Sequence, residues 1–180
     1  MYNLHRFPLK SSDSQRIGFF DHILKTGSRV RVTVTGGSMS PFIRGGEVII
    51  LKRKPISSLV PGDIIFLRTA GRQLLLHRII RIQKAENQIV SIQTQGDANG
   101  KPDYPVVPGQ VLGRVCIVEK TARFWTFQSI HTDHFFWRVF GKLMVWAARL
   151  KSSRHYPIFR PLFPPAIRSL YRSLRARAFQ

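Results

Sequence analysis

The chain has 180 residues, 43% hydrophobic and 11% aromatic with 13 Phe, so it buries a core and is not a disordered polymer. Its 29 Lys and Arg against 9 Asp and Glu leave a net charge of +20, which restricts the partners to nucleic acid, an anionic membrane face or an acidic protein. One cysteine, Cys116, excludes an internal disulfide and a multi-cysteine metal site.

The first predicted element is a short amphipathic helix. Ser12 and Asp13 cap it, Ile17, Phe20, Ile23 and Leu24 recur at helical spacing, and Gly27 ends it. The period then drops to two. RVRVTVT (29–35) puts Val30, Val32 and Val34 on one face, and EVIILKRK (47–54), DIIFLRT (63–69), QLLLHRIIRIQK (73–84), QIVSIQTQ (88–95) and QVLGRVCIV (110–118) follow as strands. Turn chemistry separates them: Gly45-Gly46, Pro61-Gly62, Ala70-Gly71, Glu86-Asn87 and the stretch from Gly96 to Pro108. Six short strands without crossover helices argue an antiparallel or mixed β domain, in a mainly β fold.

Beyond residue 120 the character changes. Residues 1–120 carry 18 basic and 8 acidic side chains, whereas 121–180 carry 11 basic ones and a single acid, Asp133. Phe135, Val139, Leu143 and Trp146 fall on one helical face, so 134–150 reads as an amphipathic helix, and a basic helical segment follows from about 165. The expected organisation is a helical N-terminal segment (1–28), a β domain (29–120) and a basic, aromatic helical appendage (121–180). That appendage suits either contact with anionic lipid or closure of the β core. The apolar runs are strand-sized and broken by charge, so no spanning helix of about 20 residues is expected. The N-terminus lacks the apolar stretch of a secretory signal, which points to the cytoplasm or peripheral attachment on the inner membrane surface.

Ser38 is the candidate nucleophile. In TGGSMSP (35–41), Gly36 and Gly37 end a strand and let the backbone turn sharply before the serine, with Met39 and Pro41 behind it. A serine needs a base within hydrogen-bond reach. Of the six histidines, His77 alone lies inside a predicted strand, LLLHRII, whereas His5 and His22 are near the N-terminus and His131, His134 and His155 are in the appendage. Asp97 and Asp103, in QGDANGKPDYP (95–105), are the carboxylates able to orient an imidazole, and either one also suits a turn. His131, Asp133 and His134 sit close together but lack a second cluster, so no metal is expected, nor any cofactor.

Taken in order, GGSMSP, GEVIIL, VPGDIIFL, LHRII, QGDAN with a later Asp, and VLGRV resemble the type I signal peptidases. The similarity is greatest to the branch of archaea, spore-forming bacteria and the endoplasmic reticulum, with a distant relation to the self-cleaving domain of LexA-type repressors. It covers about residues 30–118. The resemblance implies that Ser38 is the nucleophile of a Ser-Met-x-Pro box and that His77, followed by Arg78, replaces the lysine base of bacterial housekeeping members. Gly96-Asp97-Ala98-Asn99 then implies Asp103 as the acidic partner and Asp97 as a supporting carboxylate. It further implies a serine endopeptidase acting on an extended precursor peptide. The chain departs from the family pattern in three places. Gly36 stands where relatives often carry a serine, Gly45-Gly46-Glu47 replaces the usual Gly-Asp, and no membrane anchor precedes the nucleophile strand. Gly36 and the missing anchor favour the alternative of a catalytically weak or inactive relative that binds extended peptides, whereas the retention of Ser38, His77 and Asp103 together counts against it. A LexA-like or nucleic-acid-binding regulator fits less well, because 28 residues are too few for a helix-turn-helix and the β domain shows no interleaved aromatic stacking platform.

Overall fold

The computed structural model describes residues 14–120 and 129–152. The capping pair Ser12-Asp13, His5, His155 and the basic segment from about 165 lie outside the described residues. In chain order the elements are α1 (Ser14–Lys25), β1 (Val30–Thr33), β2 (Val48–Lys52), β3 (Ile64–Arg68), β4 (Leu74–Ala85), β5 (Gln88–Gln95), β6 (Val111–Glu119), β7 (Ser129–His131) and α2 (Phe135–Ser152). Single 3-10 turns lie at Ile56–Ser58 and Pro108–Gln110.

The strands form one sheet in the order β1-β2-β6-β3-β4-β5, and every pairing is antiparallel. β6 holds it together. One edge takes β2 along Arg114 to Glu119, while the other is divided between β3, from Val111 to Arg114, and β7, from Ile117 to Glu119. The predicted strands match the observed ones to within two residues at each end, and β7 is an addition that the sequence pattern did not reveal. Glu86 and Asn87, with φ of 48° and 64°, make the two-residue turn that twists β4 into β5.

Both faces of the sheet are buried, which is why IIFL and VIIL are unbroken apolar runs. On β3 the pleat divides them: Ile64 and Phe66 enter one core, Ile65 and Leu67 the other. The first core is covered by α1, whose Phe20 ring meets Phe66 edge-on at 5.3 Å with Leu24 fully buried beside it. The second is closed by Leu59 and Val106 from connecting segments. Each fully buried side chain of this size contributes about 1.5–3 kcal/mol of transfer free energy.

α2 packs on the first core with a different stripe from the one that marked it as amphipathic in the sequence. Trp137 and Phe140 lie against that core and Val145 is buried, whereas Val139, Leu143 and Trp146 are exposed. The periodicity was ambiguous because α2 is apolar on both sides. Its backbone comes so close to the β2–β3 connection that a Cβ on Gly141 would lie 2.9 Å from the Gly62 carbonyl oxygen. Gly141→Ala is therefore expected to lower stability by about 1–3 kcal/mol, as overpacking does. Urea unfolding of the full chain checks this, and an unchanged midpoint would mean that the Gly141–Gly62 contact relaxes at no net cost.

Candidate active site

β1 ends at Thr33, but its pairing is extended by Val34 N–H to Glu47 O (2.8 Å) and Gly46 N–H to Val34 O (2.7 Å), which close the base of the loop bearing Ser38. Met39, Phe42 and Ile43 are buried and tie that loop into the core, and the Ser40–Pro41 peptide bond within it is cis. Beneath it, Glu47 accepts from the Arg44 N–H at 3.0 Å and from Lys120 Nζ at 2.9 Å. Lys120 also donates to the Phe42 carbonyl oxygen. Burial pulls the Lys120 ammonium below its ordinary pKa, and its bond and attraction to Glu47 oppose that shift.

The loop is held from the other side by Gly96 and Ala98. Ala98 N–H donates to the Ser38 carbonyl at 2.8 Å, and a Cβ on Gly96 would stand 2.7 Å from that same oxygen, so only glycine fits. Asp97, between them, faces inward and takes a two-pronged bond from Arg78: Nε to Oδ1 at 2.8 Å and Nη2 to Oδ2 at 2.7 Å. Arg78 Nη1 donates to Gly62 O at 2.9 Å, and the guanidinium lies 5.2 Å from the Phe42 ring centre.

His77, one residue back on β4, points to the opposite face. Its Nδ1 lies 2.6 Å from Asp103 Oδ2 and its Nε2 3.1 Å from Ser38 Oγ. A carboxylate accepts only, so Nδ1 carries the proton and the Nε2 lone pair is turned to the serine hydroxyl. The imidazole is 5% exposed and the Asp103 side chain 21%, so the pair is shielded while Ser38 is half-buried at the surface. The geometry thus brings Ser38, His77 and Asp103 into one line and sends Asp97 to Arg78, which separates the two carboxylates the residues alone left open. Gly36 and Gly37 are exposed beside Ser38. His131 and His134 lie ring to ring at 5.5 Å, and the intervening Asp133 engages Arg114.

The profile of a family described as Peptidase S24-like matches residues 9–116. The chain belongs to that family. Among curated proteins this Peptidase S24-like chain is similar to the human putative signal peptidase complex catalytic subunit SEC11B, 30% identical over 79 residues (43% of this chain and 48% of that one). It is also similar to the catalytic subunit SEC11C of Homo sapiens, 29% identical over 83 residues (45% and 43%). A third relative is sec11 of Dictyostelium discoideum, 32% identical over 81 residues (44% and 45%). The chain spans about half the length of the curated relatives it matches.

Sequence reasoning missed Thr94. Its hydroxyl donates to Asp103 Oδ2 at 2.7 Å, the same oxygen that meets His77, and its carbonyl accepts the Asp103 N–H at 2.8 Å. The available signal was β-strand parity: Ile92 is an inward residue of β5, so Thr94, two further on, is inward as well. Thr94→Val removes a hydrogen bond to a charged group worth about 1.5–3 kcal/mol, whereas Thr94→Ser keeps it. The expected result is a shifted or lost low-field proton resonance of His77 Nδ1–H in the valine variant and its return in the serine variant. An unaltered resonance in Thr94→Val would show that the hydroxyl does not orient Asp103.

Proposed function

We propose that this chain is a serine endopeptidase of the signal-peptidase type that cleaves an extended precursor peptide. The observation that carries the reading is the line from Ser38 Oγ through His77 to Asp103, at 3.1 and 2.6 Å. In the proposed mechanism Ser38 Oγ attacks the scissile carbonyl carbon while His77 Nε2 takes its proton. Asp103 stabilises the imidazolium that forms. The tetrahedral oxyanion is met by backbone N–H groups, for which the Ser38 N–H is suited because it has no acceptor among the described residues. His77 then delivers its proton to the leaving amine, and the acyl-enzyme is released by a water that loses its proton to His77. Asp97 and Arg78 act as the brace that positions Ser38, with Met39 and Pro41 shaping its loop. The basic excess suits peripheral contact with the anionic inner face of a membrane. Among the described residues, no helix is long and apolar enough to cross one.

Labelling with a fluorophosphonate probe tests the reading without a known substrate. An adduct on Ser38 is expected in the wild type, none in Ser38→Ala, and a rate lower by about 10³–10⁴ in His77→Ala and Asp103→Asn. A folded wild type that never labels, but binds extended peptides, would favour the inactive relative.

Gly36 is the feature that favours that second reading, since no side chain there donates to the oxyanion. A Cβ at this position meets nothing within 4 Å, so a serine fits. If the backbone alone forms the hole, Gly36→Ser adds a donor and raises the labelling rate, towards the factor of about 10²–10³ that one such donor supplies elsewhere. An unchanged or lower rate would mean that a hydroxyl at this position does not reach the reacting oxygen.

A further inference from the structure

We propose that α2 docks the protein on an anionic lipid surface through the face formed by Val139, Leu143 and Trp146. These residues are 40%, 58% and 59% exposed, and their spacing of four and three residues aligns them along one side of the helix. The stripe cannot roll inward to find cover within the fold. The opposite side of α2 is already seated, with Trp137 and Phe140 against Phe42 at 5.5 and 5.4 Å and Gly141 against Gly62.

Charge selects what covers the stripe. α2 contains Arg138, Lys142, Arg149 and Lys151 and no acidic residue. A second copy would bring together two such helices on chains of +20 each, which like-charge repulsion opposes. Residues 153–180 carry six arginines and no acid, so the same repulsion disfavours them as a cover. An anionic bilayer satisfies both halves of the surface. Valine, leucine and an interfacial tryptophan enter the headgroup and acyl boundary, while exposed Lys142 reaches the phosphates. Because Trp137 and Phe140 clasp the Ser38 loop through Phe42, the docked helix sets that loop at a fixed orientation to the membrane. This docking does not depend on the chemistry at Ser38.

The test uses the full chain with vesicles of phosphatidylcholine alone and of phosphatidylcholine with phosphatidylglycerol, comparing the wild type, the charge-neutral double variant Leu143→Ser with Trp146→Ser, and Trp146→Phe. Flotation is expected to show binding to the phosphatidylglycerol vesicles, weakened about tenfold or more in the double variant, since burying one large apolar side chain is worth about that factor. Bromine on the lipid acyl chains is expected to quench tryptophan emission in the wild type and to lose most of that quenching in Trp146→Phe. The quenching comparison stands alone if the double variant does not fold. The proposal is overturned by equal binding of wild type and double variant, by quenching that survives Trp146→Phe, or by no binding to anionic vesicles. It is also overturned if the wild type forms a dimer that the double variant abolishes, which would assign the face to a second copy.

Discussion

The buried pair of Arg78 and Asp97 is the joint on which the rest of the molecule turns. Their side chains are 4% and 3% exposed, so both charges are withdrawn from water, and only their mutual pairing and further hydrogen bonds make that tolerable. Three guanidinium nitrogens have acceptors: two on Asp97 and one on the Gly62 carbonyl. Removing either partner would strand the other, at a cost of about 3–5 kcal/mol. Each acceptor belongs to a different part of the structure. Gly62 carries the turn that seats α2, and Asp97 lies in the turn whose Ala98 N–H holds the Ser38 carbonyl. Strand geometry adds a second consequence. Consecutive residues on β4 point to opposite faces, so His77 reaches Ser38 Oγ on one side while Arg78 fixes the serine's own loop from the other.

The same economy runs through the whole charge distribution. Six of the nine acidic residues are engaged with a cation inside the fold or at its edge (Asp21, Glu47, Asp63, Asp97, Glu119 and Asp133), and a seventh, Asp103, holds the imidazole of His77. Arg114 joins Asp63, at the start of β3, to Asp133, which leads into α2, and Lys120 joins the end of β6 to Glu47 under the Ser38 loop. Acidic residues are therefore used as internal struts, and few are left to neutralise the outside. A net charge of +20 is the outward sign of that arrangement. It bears on encounter with anionic surfaces and not on how the sheet is built.

The strands were legible because their apolar runs and turn residues are local signals, and the class of the fold followed from them. Strand order was not, because the central place of β6 rests on register with β2 and β3, which no short window of sequence carries. β7 is three residues long, below the length at which a period is visible. In α2 the helix itself was readable but its inner face was not: with Trp137, Phe140 and Val145 on one side and Val139, Leu143 and Trp146 on the other, two stripes satisfy the same period. The candidate site was legible as a set of residue types and motif order, and less so as a set of roles. Asp97 and Asp103 lie in one turn-rich segment with the same chemistry, and what distinguishes them is the side of the sheet each carboxylate reaches. Thr94 carried no motif at all, since its part in the site depends on a loop folding back over β5.

The change in composition near residue 120 is real, yet the packing runs across it. Ile130, on β7, is fully buried in the first core, and the Thr132 hydroxyl donates to the Val115 carbonyl. Phe42, four residues beyond Ser38, is met by the rings of Trp137 and Phe140 and by the cations of Arg78 and Lys120. A segment that reads in sequence as an appendage thus supplies part of the wall behind the serine. In the proposed reaction the loop carrying Ser38 has to resist displacement by the substrate, because a misplacement of about 1 Å can cost 10²-fold in rate. Here that resistance comes from aromatic packing contributed by α2, so whatever α2 is fastened to also bears on where Ser38 sits.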